Sequence, residues 1–335
     1  MHAVASPGPP EPGVKRREDR TGRGIDAGMW ALTSYYNPAG YRRRRENYRH
    51  FRRRLGLPLV AVEAERDGVF DLAPGDADIL VRIAGGDVMW QKERLLDIAL
   101  DVLPPACRAI AWVDCDVIFG DEDWAPKAAA LLEDRPLVQL YGAVHYLPPG
   151  AGPEDIGRVA PELSRLSIGH VAATGHDDPC AGLDSGGVRG MGALASGFAW
   201  AARRELLEAH RFYDACIIGA GDTAMVAAAF ASPERAVSRL SMTKAQTEHY
   251  LAWAGGFGRA VAGDVGALDS PIHHLWHGDL VYRRRRVRNE ELAGFGFDPF
   301  RDIAADPCGP WRWASDKPAM HRYVASYFAS RREDG

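Results

Sequence analysis

Apolar and polar residues follow one another along this chain in a pattern that predicts strands alternating with helices. Residues 29–35 are mostly apolar or aromatic, as in a strand, and the turn-forming stretch 37–40 follows. In residues 41–55, apolar side chains recur at intervals of 7, 3 and 4 and share one helical face, with arginines around the rest. That face consists of Tyr41, Tyr48, Phe51 and Leu55. Two more strands are predicted at 58–63 and 78–83, so the order strand, helix, strand indicates a right-handed βαβ unit.

The rest of the N-terminal half continues this alternation. Its clearest helix is predicted at 89–103, and two consecutive prolines end it. The predicted buried stripe of that helix is Leu95, Leu96, Ala99, Val102 and Leu103. The continuous apolar run at 109–113 indicates a strand that is covered on both faces, as in a parallel sheet. A helix at 124–132 and a strand at 137–140 follow, so we expect an α/β fold.

The second half of the chain is less regular. Residues 148–192 are rich in Gly, Pro and Asp and predict a long loop region. A glycine-rich loop at 190–197 then leads into a short apolar stretch at 198–200. Further helices are predicted at 203–210, 223–230, 244–251 and 319–330.

Composition and charge limit the class of protein. The chain has 335 residues, 46% of them hydrophobic, which is enough for a full-sized core, whereas the Pro-, Gly- and charge-rich residues 1–27 are expected to be a disordered tail. A net charge of −4 argues against general nucleic-acid binding. The five cysteines lack zinc-ligand or redox-motif spacing, and no apolar run reaches the length of a membrane span. We therefore expect a soluble cytoplasmic enzyme with reduced thiols.

Two aspartates at the end of the predicted buried strand provide the first chemical signal. Asp114 and Asp116 follow the strand directly, and ligands of open α/β sheets bind beyond the carboxyl ends of the strands. Two carboxylates one residue apart suit Mg²⁺ or Mn²⁺ carrying a diphosphate. A turn in which the aspartates only solvate the strand end explains the same pattern equally well.

Four motifs occur in one order, and together they resemble those of the GT-A glycosyltransferases. They are Asp114-Cys-Asp116, the glycine-rich loop, Gly219-Ala-Gly-Asp222 and His274-Leu-Trp-His277. Among GT-A enzymes, the histidine pair followed by Asp279 and the arginines at 283–286 is similar to the pattern of inverting beta-1,4-galactosyltransferase-type enzymes. The acidic motif departs from that pattern, because it is Gly-Ala-Gly-Asp instead of a tryptophan-rich acidic run.

This resemblance implies a fold and a division of the chain. The fold is a Rossmann-like, mostly parallel sheet flanked by helices, with a C-terminal acceptor-side half. The glycosyltransferase domain would span residues 28–300, with 28–145 binding the nucleotide sugar and 146–300 facing the acceptor. Residues 301–335 would form a C-terminal helical extension.

The resemblance also implies a reaction and the residues that perform it. A sugar, expected to be a hexose, would move from a nucleoside-diphosphate donor such as a UDP-sugar to a hydroxyl of a glycan, a lipid-linked or a small-molecule acceptor. The implied ligands of the Mn²⁺ or Mg²⁺ ion are Asp116, His274 and His277, with Asp114 as a further ligand or a ribose contact. The implied donor-binding residues are Asp114, Tyr35, Lys92 and Arg283. Asp222 would be the general base of an inverting transfer.

Several of these residues have plainer explanations. His274 and His277 suit a core edge, and side chains three residues apart converge only on a bend or a helical turn. Asp222 precedes a predicted helix and suits an N-cap. Lys92 lies on a predicted helix and suits its solvated surface. The arginine-rich stretches suit solvated faces as well, the alternatives being contact with an anionic membrane or a lipid-linked acceptor at 42–45 and a diphosphate clamp at 283–288.

Two other functions fit parts of the sequence. The Asp114-Cys-Asp116 segment also resembles the nucleophile strand of haloacid-dehalogenase-type phosphohydrolases, although here it follows about three predicted strands. The arginine-rich helices suit a non-catalytic nucleotide-sugar-binding or RNA-binding protein. The four motifs together favour the metal-dependent glycosyltransferase.

Overall fold

The computed structural model describes residues 28–176, 178–183, 191 and 193–335. The predicted tail at 1–27 lies outside the described residues, as do parts of the glycine-rich loop. The strands are β1 (Met29–Tyr36), β2 (Leu59–Ala64), β3 (Ile79–Ile83), β4 (Ala109–Val113), β5 (Val117–Phe119), β6 (Leu137–Gln139), β7 (Ala143–Tyr146), β8 (Leu163–Leu166), β9 (Ala199–Arg203), β10 (Val265–Ala267), β11 (Pro271–His274), β12 (Ile303–Ala304) and β13 (Arg312–Trp313). The α-helices are α1 (Arg42–Arg54), α2 (Lys92–Asp101), α3 (Trp124–Asp134), α4 (Ile168–Ala173), α5 (Arg204–His210), α6 (Gly221–Ala229), α7 (Pro233–Arg239), α8 (Lys244–Val261), α9 (Val287–Gly294), α10 (Pro299–Asp302) and α11 (Pro318–Ser330).

A mainly parallel sheet of seven strands forms the centre of the fold. Its order is β10-β6-β9-β4-β1-β2-β3, and β9 alone in this sheet runs antiparallel to its neighbours. Strands β1 and β2 pair in parallel, and helix α1 connects them along the chain, as the strand, helix, strand pattern predicts. The predicted α/β class, with a mostly parallel sheet flanked by helices, is therefore confirmed.

Helices cover both faces of this sheet. In β1, Leu32 packs into a hydrophobic cluster that includes residues of α2, whereas its neighbour Ala31 packs into a second cluster that includes residues of α1. Val60 and Leu59 of β2 divide between the two clusters in the same way. Because successive side chains of a strand point to opposite faces, burial on both faces requires a continuous apolar run and not an alternating one.

A second sheet of four strands brings the Asp-x-Asp segment and the histidine pair together. Its order is β5-β11-β7-β8, and β5 begins one residue after Asp116. In the antiparallel pairing of β11 with β5, His274 lies opposite Val117. The backbone N–H of Leu275 also donates to the carbonyl oxygen of Asp116 at 2.9 Å. The last residues of β11 therefore lie beside the second aspartate.

The structure corrects several predicted elements. The helix predicted at 89–103 is shorter in the structure, where α2 begins at Lys92 and ends at Asp101. Val102, which was predicted in the buried stripe, lies beyond the helix and is 37% exposed. The stretch predicted as a long loop contains β8 and α4, since β8 pairs with β7 and Ser167 caps α4 by accepting from the N–H of His170. The helix predicted at 244–251 continues to Val261.

The segment after α11 is tied to the first helix. The Tyr41 hydroxyl accepts from the backbone N–H of Arg332 at 3.1 Å, and the Asp334 carboxylate accepts from the N–H groups of Arg42 and Arg43 at 3.0 and 2.8 Å. The Asp334 carboxylate thus provides acceptors for two backbone N–H groups at the start of α1 that have no partner within the helix. All five cysteines are free thiols, and none of the helices described here is long and apolar enough to cross a bilayer.

Candidate active site

A cavity opens at the carboxyl ends of β1 and β4. Its wall combines acidic residues, basic residues and aromatic rings. The lining residues are Ser34, Tyr36, Arg44, Trp90, Gln91, Lys92, Asp114, Cys115, Asp116, Phe198, His274, His277, Arg283, Phe328 and Arg331. The position matches the general rule that ligands of open α/β sheets bind beyond the strand ends.

Asp116, His274 and His277 converge on one point of this wall. The Nε2 atom of His277 lies 2.9 Å from Asp116 Oδ2, and the Nε2 atom of His274 lies 3.9 Å from Asp116 Oδ1. The two Nε2 atoms are 3.2 Å apart. Among the described residues, this is the group of His, Cys, Asp or Glu whose ligand atoms lie close enough together, within 4.8 Å, to hold a metal ion. The histidines meet because β11 ends at His274 and the chain then turns out of the strand.

The donor atoms of this group fit a divalent cation. Asp116 Oδ1 is buried and has no hydrogen-bond partner in the part of the chain that the structure describes, although a buried carboxylate oxygen normally has one. Burial lowers the pKa of His274 well below its usual value, so its imidazole is neutral and can bind a metal. Burial by itself raises the pKa of Asp116, but His277 and His274 outweigh it and hold that pKa well below its usual range. One carboxylate oxygen and two imidazole nitrogens are a common ligand set for a divalent metal ion.

Lys92 joins the first aspartate of the motif to Asp222. Its Nζ atom lies 2.7 Å from Asp114 Oδ1 and 3.1 Å from both carboxylate oxygens of Asp222. Burial raises the pKa of Asp114 to about 6, although Lys92 counteracts this. Lys92 is thus a largely buried ion-pair partner, and its interpretation as ordinary helix surface is wrong.

Asp222 lies in the first turn of α6 and does not cap it. Helix α6 begins at Gly221, the preceding Ala220 has the left-handed backbone angle φ of 80°, and no side-chain cap bond is formed there. The Asp222 carboxylate instead reaches Lys92 in a small cleft beside the main cavity. Gly197, from the glycine-rich loop, lies against it, since a Cβ atom at Gly197 would be 2.8 Å from Asp222 Oδ2. The N-cap interpretation is therefore wrong.

Three arginines form the basic part of the cavity wall. Arg283 follows the histidines along the chain, and its Nη2 atom lies 2.9 Å from His277 Nε2. Arg44 and Arg331 both pair with Glu333, a fully buried carboxylate behind the wall. The Arg331 guanidinium also lies 5.3 Å from the centroid of the Trp90 ring. The interpretation of 42–45 as only a solvated face is therefore wrong for Arg44, which is fixed toward the cavity.

Tyr35 does not belong to the cavity wall formed by the described residues. It is 1% exposed, and its hydroxyl donates to Asp71 Oδ2 at 3.0 Å in the core under α1. Its neighbours Ser34 and Tyr36 line the cavity instead. Successive residues of a strand face opposite sides, so the prediction chose the wrong side of β1.

Several cavity residues were missed by reasoning from the sequence. Arg331 of the cavity wall lies far along the chain from every motif, as does Glu333, which pairs with it from behind the wall, and no local pattern marks either residue. Phe198 adopts a left-handed backbone with φ of 76°, and its carbonyl oxygen accepts from the N–H of Asp114 at 2.7 Å. The position of Phe198 directly after the glycine-rich loop was a usable signal, and so was the position of Trp90 directly before Lys92.

Comparison with known proteins gives structural likeness without sequence likeness. No family model and no curated protein matches this chain. Among solved structures, glucosyl-3-phosphoglycerate synthase from Mycobacterium tuberculosis, in complex with Mn²⁺, UDP and phosphoglyceric acid, has a TM-score of 0.40 and 12% identity over 78% of this chain and 76% of that chain.

Two further solved structures show a similar degree of likeness. TarS residues 1–349 from S. aureus, in complex with UDP-GlcNAc, has a TM-score of 0.40 and 9% identity over 90% of this chain and 72% of that chain. A mycobacterial protein has a TM-score of 0.41 and 13% identity over 86% and 83% of the two chains. At this level of likeness, any function of this chain rests on its own residues.

Proposed function

We propose that this protein is a metal-dependent glycosyltransferase of the GT-A type, which transfers a sugar from a nucleoside-diphosphate donor to an acceptor hydroxyl. The observation that carries the proposal is the convergence of Asp116, His274 and His277 at the strand ends, beside a wall of arginines. Asp116, His274 and His277 would hold Mn²⁺ or Mg²⁺, and of these two ions imidazole ligands favour Mn²⁺. The bound cation would neutralise the charge that develops on the departing diphosphate.

The cavity wall offers the donor both charge and apolar surface. Arg283 and Arg331 would bind the anionic diphosphate, since the planar guanidinium group matches phosphate oxygens in a two-pronged contact. Tyr36, Trp90 and Phe328 offer aromatic faces on the same wall. A UDP-hexose suits this combination, with Asp114 and Lys92 next to the donor sugar or its ribose.

Asp222 would act as the general base. As the acceptor oxygen forms its bond to the anomeric carbon, the bond from that carbon to the diphosphate oxygen breaks and the acceptor proton passes to the Asp222 carboxylate. Attack on the face opposite the leaving group inverts the anomeric centre, as in the beta-1,4-galactosyltransferase-type enzymes that the motif order resembles. The acceptor would then approach from the acceptor-side half, 146–300, as a glycan, a lipid-linked or a small molecule. The free thiols suit a reducing compartment, so we place the enzyme in the cytoplasm.

The site is less suited to the two other functions. A haloacid-dehalogenase-type hydrolase would carry its Asp-x-Asp motif on the first strand, whereas here the motif follows β4. An RNA-binding role would rest on exposed basic side chains of α1, whereas Arg44 of that helix is turned inward and paired with the buried Glu333.

The proposal is tested by measuring nucleotide release from a set of UDP- and other nucleotide-sugars, with Mn²⁺ or with a chelator. We expect Mn²⁺-dependent release that the variant His277→Ala loses. The matched control is His273→Ala, because His273 lies on the same strand but packs against His145 on the other side of the small sheet. The proposal would be wrong if no donor were consumed, or if His277→Ala and His273→Ala behaved alike.

A further inference from the structure

A buried carboxylate behind the cavity reaches one of the three residues of the proposed metal site. Glu333, in the segment after α11, is 0% exposed. Its Oε2 atom accepts from Arg44 Nε at 2.6 Å, and its Oε1 atom accepts from Arg331 Nε. The same Oε1 atom lies 3.4 Å from Nδ1 of His277. Two arginines and one imidazole therefore surround this carboxylate.

The charges around Glu333 keep it ionised. Burial by itself raises its pKa, but Arg331 and Arg44 outweigh this and hold the pKa well below its usual value. A buried carboxylate that is paired with two guanidinium groups has a fixed position, because moving it would leave three charges unpaired. Glu333 thus presents an oxygen atom to His277 from a rigid support.

The other side of the His277 ring determines which nitrogen carries the proton. Its Nε2 atom lies 2.9 Å from Asp116 Oδ2, 3.2 Å from His274 Nε2 and 2.9 Å from Arg283 Nη2, so this nitrogen is the one that faces the proposed metal ligands. A nitrogen that binds a metal ion has no proton, so a neutral imidazole that binds through Nε2 carries its proton on Nδ1. Nδ1 is buried and has no hydrogen-bond partner of good geometry among the residues described, and Glu333 Oε1 is the carboxylate oxygen it faces.

We propose that Glu333 is a positioning residue for His277, holding the Nδ1–H tautomer so that Nε2 stays directed at the metal. Metal-binding histidines typically donate their second N–H to a carboxylate or carbonyl, which fixes the ring and raises its basicity. The inference rests on the proposed metal-dependent function. It gives the segment after α11 a role in the site that no motif indicated.

A purely structural role for Glu333 is the competing explanation, and the neighbouring residue separates the two. Asp334 fastens the same segment to the same helix by accepting from the N–H groups of Arg42 and Arg43. It makes no contact with His277, Asp116 or His274 among the interactions described. Asp334→Asn therefore weakens the attachment of the segment without removing a carboxylate from the histidine.

The test is the affinity of the full-length protein for Mn²⁺ itself, measured by the loss of the free-ion EPR signal. We expect Glu333→Gln to bind Mn²⁺ about 10–100-fold more weakly than the wild type, and Asp334→Asn to bind it like the wild type. Equal affinity of Glu333→Gln and the wild type would overturn this inference and leave the metal site standing. Failure of the wild type to bind Mn²⁺, with or without UDP, would overturn the proposed function and this inference together.

A second measurement uses only the wild-type protein, so it does not depend on whether a variant folds. In protein carrying ¹⁵N-labelled histidine with diamagnetic Mg²⁺, the two-bond ¹H–¹⁵N spectrum identifies the protonated nitrogen of each imidazole. We expect His277 to be protonated on Nδ1. Protonation on Nε2 in the presence of the cation would contradict the positioning role.

Discussion

The Lys92 ammonium nitrogen lies 3.1 Å from both carboxylate oxygens of Asp222, although the two residues belong to different helices. The same nitrogen contacts Asp114, so one cation links the Asp-x-Asp segment to the first turn of α6. Burial, the largest influence, lowers the pKa of Lys92, but Asp114 and Asp222 outweigh it and the pKa is raised well above its usual value. The positively charged Lys92 therefore fixes the position of Asp222, the proposed general base.

Substitution of Asp222 by Asn is expected to lower kcat by roughly 10²–10⁴-fold, because the amide cannot take the acceptor proton. The amide keeps the shape of the carboxylate, and Lys92 retains Asp114 as its partner, so we expect only a small change in Tm. Both quantities would be measured beside Thr223→Ala, a control in the same turn of α6. Normal kcat in Asp222→Asn would rule out the base assignment.

Gly197→Ala is expected to disturb the same carboxylate from the opposite side. The new methyl group would lie 2.8 Å from Asp222 Oδ2, closer than such atoms approach, so the carboxylate must move. A displacement of about 1 Å at a reacting group can reduce kcat by about 10²-fold. Gly294→Ala in α9 is the control, because nothing lies within 4 Å of its added methyl. An unchanged kcat in Gly197→Ala would show that the loop does not position Asp222.

Mn²⁺ is expected to raise the Tm of the wild type, because it binds the folded site and not the unfolded chain. At a concentration 100 times Kd, the expected stabilisation is about 2.7 kcal/mol. In Asp116→Asn the stabilisation should largely disappear, since a charged ligand is lost. Asp121→Asn, which removes a carboxylate paired with Lys127 nearby in the sequence, should respond to Mn²⁺ like the wild type. Equal Mn²⁺ responses of the Asp116 variant and the wild type would place the metal elsewhere.

The stability of the fold is expected to depend on pH through Asp97, a buried residue of α2. Burial, together with the neighbouring Asp214, raises the pKa of Asp97 from 3.8 to about 8. Between these two values the folded protein holds a proton that the unfolded chain releases, so the free energy of unfolding falls as pH rises from about 4 to about 8. For this one group the slope is at most about 1.4 kcal/mol per pH unit.

The variant Asp97→Asn tests this pH dependence. The amide oxygen can still accept from the N–H of Phe212, as Asp97 Oδ1 does at 2.9 Å, and no charge has to be buried at high pH. Urea unfolding should therefore show the variant gaining stability relative to the wild type at pH 8 and not at pH 4. The variant should keep part of the pH dependence of the wild type, because burial also raises the pKa of Glu93 to about 8. Asp101→Asn, on the exposed end of the same helix, should keep the full slope of the wild type.

Sequence by itself determined five strands of the central sheet, β1, β2, β3, β4 and β6, and predicted its ligand edge, whereas β10 was not predicted. Strands β2 and β4 are buried on both faces, which requires continuous apolar runs that are visible in the sequence. Asp114 and Asp116 follow the run of β4 directly, so the local pattern alone was enough to single them out as candidates. The tertiary structure decided which side chains complete the site. Arg44 and Glu333 are 289 residues apart, Lys92 and Asp222 are 130 apart, and no local periodicity records such pairs. The side of β1 that faces the cavity was decided in the same way, because both faces of that strand are buried and the sequence gives no preference for Ser34 and Tyr36 over Tyr35.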